Sequence, residues 1–99
     1  MLQRGTTQEL TFILPEAISI EVLYITFCQK EKTVLEKTLA DVEVNENTIT
    51  LQLSQLDTLQ FCSKHAVYIQ LRIRDTDGNA LKSDTFRTDV DDVLKEGVI

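Results

Sequence analysis

The sequence predicts an all-β fold, an antiparallel sandwich of two sheets with one or two short helical turns. Three observations carry that expectation. Apolar and polar residues alternate with a period of two along four runs. β-branched and aromatic residues are frequent in those runs. Asparagine, aspartate, glycine or charged residues separate the runs where hairpins would reverse.

The elements follow in chain order. Leu10, Phe12 and Leu14 alternate with Glu9, Thr11 and Ile13, and Pro15 closes that strand. Leu23, Ile25 and Phe27 alternate with Val22, Tyr24 and Thr26. Gln29-Lys30-Glu31-Lys32 reads as a hairpin loop between strand-like runs. Val42-Glu43-Val44 and Thr48-Ile49 flank Asn45-Glu46-Asn47, where asparagine tolerates the left-handed backbone of a tight turn. Ile49, Leu51 and Leu53 alternate with Thr48, Thr50 and Gln52. Ser54-Gln55-Leu56-Asp57 resembles a capping box. It predicts a turn or two of helix, holding Leu56 and Leu59, that plugs one end of the sandwich. Val67, Ile69, Leu71 and Ile73 alternate with Tyr68, Gln70, Arg72 and Arg74, the clearest strand in the chain. Ala80 to Thr88 reads as its return. Val90, Val93 and Leu94, with acids before them and Gly97 after, predict a short C-terminal helix over Asp89 to Glu96. The sum is one domain, residues 1–99, expected to be an immunoglobulin-like sandwich of about seven strands.

Composition bounds the function. The chain has 99 residues, with 10 Lys and Arg against 16 Asp and Glu, a net charge of −6. An acidic surface repels phosphate backbones, so no nucleic-acid partner is expected. No apolar stretch follows Arg4, so no signal peptide is expected. No run approaches a membrane span, so no membrane partner is expected either. Cys28 and Cys62 are expected to be free thiols. A disulfide would require their strands to be neighbours.

Candidate sites are few. Arg74-Asp75-Thr76-Asp77-Gly78-Asn79-Ala80 crowds oxygen ligands. However, a calcium loop counted from Asp75 would need glycine at its sixth position and glutamate at its twelfth. Gly78 and Phe86 stand at the wrong counts, and the stretch reads as a hairpin turn, with a weaker site using Asp84 as the alternative. His65 is the only histidine, so any nucleophile would depend on it. Cys62 and Ser63 nearby carry no nucleophile signature. Two cysteines and one histidine lack zinc-ligand spacing. No metal, cofactor or catalytic residue is expected, and the chain is expected not to be an enzyme. The outward row Tyr68, Gln70, Arg72, Arg74 has two readings: pairing with acids on a neighbouring strand, or a partner surface. Val22 and Tyr24 are apolar on the same side and are either covered or part of such a patch. Val98 and Ile99 are expected to dock, on this domain or on a neighbour.

Taken in order, the segments form a recognisable set. They are Arg4-Gly5-Thr6-Thr7, Leu10 to Pro15, Leu23-Tyr24-Ile25-Thr26-Phe27 with Gln29, Val34-Leu35-Glu36-Lys37 and Asn47-Thr48-Ile49-Thr50-Leu51. After these come Asp57 to Phe61, Ile69 to Arg74, Asp77-Gly78 with Ala80-Leu81 and Ser83-Asp84, and Val93 to Ile99. The set resembles small proteins encoded in prophages of gut Firmicutes beside tail and baseplate genes. More distantly, it is similar to the N-terminal β-sandwich of phage baseplate upper proteins. The chain lacks the long helical and receptor-binding parts of those full proteins. The resemblance implies a non-enzymatic adaptor in the baseplate region of a phage or prophage tail. Such a chain would be assembled in the bacterial cytoplasm and located in the virion. Its expected partners are other tail or baseplate proteins and further copies of itself, with Tyr68, Arg72, Arg74, Val98 and Ile99 as candidate contacts. The alternative is a carbohydrate or cell-surface binding module, for which two tyrosines, four phenylalanines and no tryptophan are a poor aromatic platform.

Overall fold

The alternation seen in the sequence builds two sheets with one shared core. The computed structural model describes residues 1–99. In chain order the elements are β1 (Leu2–Gln3), β2 (Gln8–Ile13), β3 (Ile20–Gln29), β4 (Lys32–Thr38), a 3₁₀ turn (Leu39–Asp41), β5 (Val42–Asn45), β6 (Thr48–Leu53), α1 (Gln55–Leu59), β7 (Val67–Asp75), β8 (Ala80–Lys82), β9 (Phe86–Thr88) and β10 (Val90–Asp91). One sheet has the order β2-β6-β5. The other has the order β4-β3-β7-β8, with β9 also on β7. β8 and β9 act as one broken edge strand, so the sandwich is three strands against four. The break lies at Ser83, whose Oγ accepts the Leu71 N–H at 3.0 Å in place of a strand carbonyl.

The two-sheet architecture is the expected one; the strand order is particular. In immunoglobulin constant domains the second strand joins the sheet of the first and fifth. Here β3 lies between β4 and β7. It is therefore the strand with two long neighbours, and its register sets the fold. Leu23 faces Ile73, Ile25 faces Leu71 and Phe27 faces Ile69 on the inner side. With Ile49, Leu51 and Leu53 of β6 they form the core, and all nine are buried. Phe27 and Phe61 pack as a tilted pair at 5.7 Å.

The turn from α1 into β7 is tied to β3 by one side chain. Gln29 is only 6% exposed. Its Nε2 donates to the Cys62 carbonyl at 2.7 Å and the His65 carbonyl at 2.9 Å, while its Oε1 accepts the Cys62 N–H at 2.9 Å. A buried amide with all these partners satisfied is stabilising; without them it would be costly.

The helical turn at Ser54 forms as expected, with Ser54 and Asp57 exchanging both capping bonds. Its packing differs from expectation. Leu56 is 65% exposed, and the inward residues are Asp57, Thr58 and Phe61. Thr58 Oγ1 donates to the Thr6 carbonyl at 2.8 Å, and Lys37 reaches Asp57 at 3.1 Å. Burial pushes the Asp57 carboxyl up, but the Ser54 N–H and the Lys37 ammonium outweigh it and hold the group below its ordinary value.

The C-terminal helix does not form. Leu2 donates its N–H to Asp89 O at 2.9 Å and Arg4 to Asp91 O at 3.0 Å, so this stretch is the parallel partner of β1. Eight residues make a marginal helix alone. The extended chain instead buries Val90 beside Leu2 and leaves Leu94 wholly exposed. The second helical turn lies at Leu39–Asp41, where the sequence reading placed none.

Two turns use left-handed backbone without glycine. Lys30 and Glu31 have φ of 50° and 64°. They close the β3–β4 hairpin between the paired Gln29 and Lys32. At the β5–β6 turn Glu46, not an asparagine, takes φ 55°. Asn47 instead staples the end of β2, donating from Nδ2 to Leu14 O at 3.0 Å. A non-glycine residue in this region costs roughly 1 kcal/mol. Replacing Lys30-Glu31 by Asn-Gly is therefore expected to stabilise the domain by about 1 kcal/mol, raising the melting temperature by ~4–8 °C. Thermal denaturation followed by circular dichroism checks this.

Candidate functional site

The β3–β7 register that buries one set of side chains presents the other on the outer face of the larger sheet. Four ladder rows cross that face. Val22, Arg74 and Ala80 form one, Tyr24, Arg72 and Lys82 the next, Thr26 and Gln70 the third, and Cys28, Tyr68 and Arg87 the last. The tyrosines are about half exposed, at 44% and 45%. They stand four residues apart along the ladder, roughly 13 Å at the usual strand rise, too far for one stacking platform.

The cross-strand pairing reading holds for one arginine of the outward row and not for the other. A bulge in β3 between Ile20 and Val22 sets Glu21 beside β7, and Arg74 pairs with it at 3.0 Å. Arg87 pairs with Asp89 at 3.3 Å. Arg72 has no carboxylate within ion-pair distance; its cross-strand neighbours are Tyr24 and Lys82. Val22 and Tyr24 are not covered by another element. With Arg72, Arg74 and Ala80 they line a shallow hollow of about 270 Å³.

A larger groove, about 520 Å³, opens along the seam between β2 and β8–β9. Ile13, Leu14, Ile18, Leu81 and Phe86 line it. Phe12 packs against Phe86 at 6.0 Å and ties the two sheets there.

The C-terminal candidates are held by main chain, not by their side chains. Gln55 Oε1 accepts the Ile99 N–H at 2.8 Å, and its Nε2 donates to Ile99 O at 3.2 Å. Val98 and Ile99 both turn their side chains to solvent. The segment before them is clasped by Arg4, whose Nη1 donates to Asp92 at 2.5 Å and Glu96 at 2.6 Å, and whose Nη2 reaches Leu59 O at 3.2 Å. Hydrogen bonds from the guanidinium, to Glu96 foremost and then Asp92, raise the Arg4 pKa further above its already high value. Gly5, at φ 78°, lets the chain turn beside this clasp. A Cβ there would meet Val93 at 3.5 Å.

The Asp75 stretch is a turn with its acceptors occupied. Asp75 Oδ1 accepts the N–H groups of Asp77 at 3.0 Å and Asn79 at 2.8 Å, and Oδ2 accepts Asn79 Nδ2 at 3.2 Å. Those bonds, the Asn79 N–H first, hold its carboxyl below the ordinary range. Gly78 takes φ 88°, as the reversal requires. His65 contributes its backbone to the Gln29 clamp, and its imidazole bonds neither Cys62 nor Ser63. Cys28 and Cys62 are free thiols, and Cys28 lies 3.8 Å from Thr33 Oγ1.

No protein-family model, curated protein or solved structure matches this chain. No helix is long and apolar enough to cross a membrane.

Sequence reasoning missed Arg4, Gln29 and Lys82. Arg4 and Gln29 carried no local signal, because their partners lie far along the chain. Lys82 had one: counting back from Asp77-Gly78 places it opposite Arg72.

The Arg4 clasp yields a pH prediction. The Val93 N–H, and then Arg4, hold the Asp92 carboxyl below its ordinary value. A depressed carboxyl favours the folded clasp above the unfolded pKa of about 3.9, and that contribution is lost as pH falls through the lower folded value. NMR titration of Asp92 is expected to give a midpoint below ~3.9, moving upward in Arg4→Gln. An unchanged midpoint in the variant contradicts the clasp.

Proposed function

We propose that this domain is a non-catalytic adaptor that works through protein–protein contacts in the baseplate region of a phage or prophage tail. The observation that carries the contact role is the outer face of the larger sheet. It exposes Tyr24, Tyr68, Arg72 and Arg74 on a rigid ladder, and tyrosine and arginine are the residues that interfaces favour. The tail assignment rests on the resemblance of the ordered segments from Arg4 to Ile99. The main chain at Ile99, pinned by Gln55, presents Val98 and Ile99 as a second contact. In this reading the chain is assembled in the bacterial cytoplasm, also contacts further copies of itself, and carries no cofactor.

The test is mass spectrometry of particles purified after prophage induction. The expected result is this chain in the particle at a copy number comparable with other baseplate components. Its absence from intact particles overturns the tail assignment.

A further inference from the structure

The outer face carries one arrangement that the fold itself does not need. Arg72 stands directly opposite Lys82 in the β7–β8 ladder, with Tyr24 on its other side. Like charges facing each other across a ladder are unfavourable. Acids are not scarce, since the chain has 16. Four cations have carboxylate partners: Arg4 has two, and Lys37, Arg74 and Arg87 have one each. The isolated lysines Lys30, Lys32, Lys64 and Lys95 have none, but none of them faces another cation across a ladder. Arg72 and Lys82 have none, although they are adjacent on a rigid sheet.

The surroundings define what would balance them. A guanidinium presents a planar fork that takes a carboxylate through two parallel hydrogen bonds. Beside it lies the hollow of about 270 Å³, with Val22, Tyr24 and Ala80 as its apolar wall. A carboxylate next to a small apolar group fits that combination. The cationic patch is short. Glu21, Glu36, Asp75, Asp77 and Asp84 stand on this face or in the loops at its ends. A long polyanion crossing the patch would run into those acids, whereas a segment with one or two carboxylates would not.

We propose that the outer face around Arg72 and Lys82 holds a short acidic segment of a protein partner. The carboxylate preference rests on the face; that the carrier is a protein rests on the adaptor reading. Arg72 takes the carboxylate, Lys82 adds the second positive charge, and Tyr24 packs against the neighbouring residue.

The experiment uses the full chain and fluorescently labelled probes followed by anisotropy at low salt. The probes are a decapeptide of alanine and serine with two aspartates at its centre, its lysine counterpart, and a single-stranded DNA decamer. The aspartate peptide is expected to bind and to weaken as salt rises. The double variant R72A/K82A is expected to lose about tenfold in affinity, equivalent to ~1.4 kcal/mol. Lys64→Ala, in the loop before β7, is expected to bind as the parent does. No binding of the aspartate peptide, equal binding by the double variant, or tighter binding of the DNA each overturns the proposal. A second measurement needs no ligand. Lys82→Glu converts the like-charge pair into a cross-strand ion pair and is expected to raise the melting temperature by a few degrees while abolishing peptide binding. A lower melting temperature removes the premise. The particle test is separate: peptide binding that survives absence from particles leaves this site standing without the tail. The reverse result leaves the tail without this site.

Discussion

The fold depends on the buried amide of Gln29. β3 must meet β7 in one register, because a slip of one residue would turn every core side chain outward. The two strands are far apart in sequence, and between them lie β4, the β5–β6 hairpin of the smaller sheet and α1. Gln29 ends β3 and fixes the Cys62–His65 turn that delivers Val67 to the start of β7. From there the ladder runs to Ile20 opposite Asp75, with a single bulge that releases Glu21. The core rows and the outer rows are two consequences of that one alignment.

The same alignment sets the core and the proposed contact face together. Inward, Leu23, Ile25 and Phe27 meet Ile69, Leu71 and Ile73 and supply the burial that holds the sheets together. Outward, the register places Tyr24 and Lys82 on either side of Arg72. The smaller sheet packs β6 into the core, while Phe12 and Phe86 join the two sheets at the seam. At one end, Arg4 and Gln55 fasten the last residues by contacts that leave Leu94, Val98 and Ile99 apolar and exposed. The domain therefore has an exposed ladder face and a tethered apolar end, the two surfaces on which the proposed contacts rest.

Much of this was legible in the sequence where the signal is local. The alternation around Ile25, Leu51 and Leu71 gave the inner faces correctly, and Asp77-Gly78 and Lys30-Glu31 marked their turns. The capping box at Ser54 was equally local. What failed was anything decided by a distant partner. Val90, Val93 and Leu94 have helical spacing, but the backbone of Leu2 and Arg4 claims that stretch for a parallel pair. The helical turn holding Leu56 and Leu59 was placed correctly, but its inward side chain is Thr58, whose hydroxyl reaches Thr6. On the candidate face the row itself was readable. Which arginine is neutralised was not, since that turned on a bulge at Glu21.

The register clamp is tested most directly by Gln29→Leu, which puts an apolar side chain of similar volume in place of the amide and removes its three hydrogen bonds. Its three bonds contribute about 1 kcal/mol each, and two part-buried carbonyls and an N–H would lose this partner. Equilibrium urea denaturation is expected to show a loss of about 3 kcal/mol or more, a large share of a small domain's stability. A variant within ~0.5 kcal/mol of the parent would contradict the view that this amide holds β7 in place.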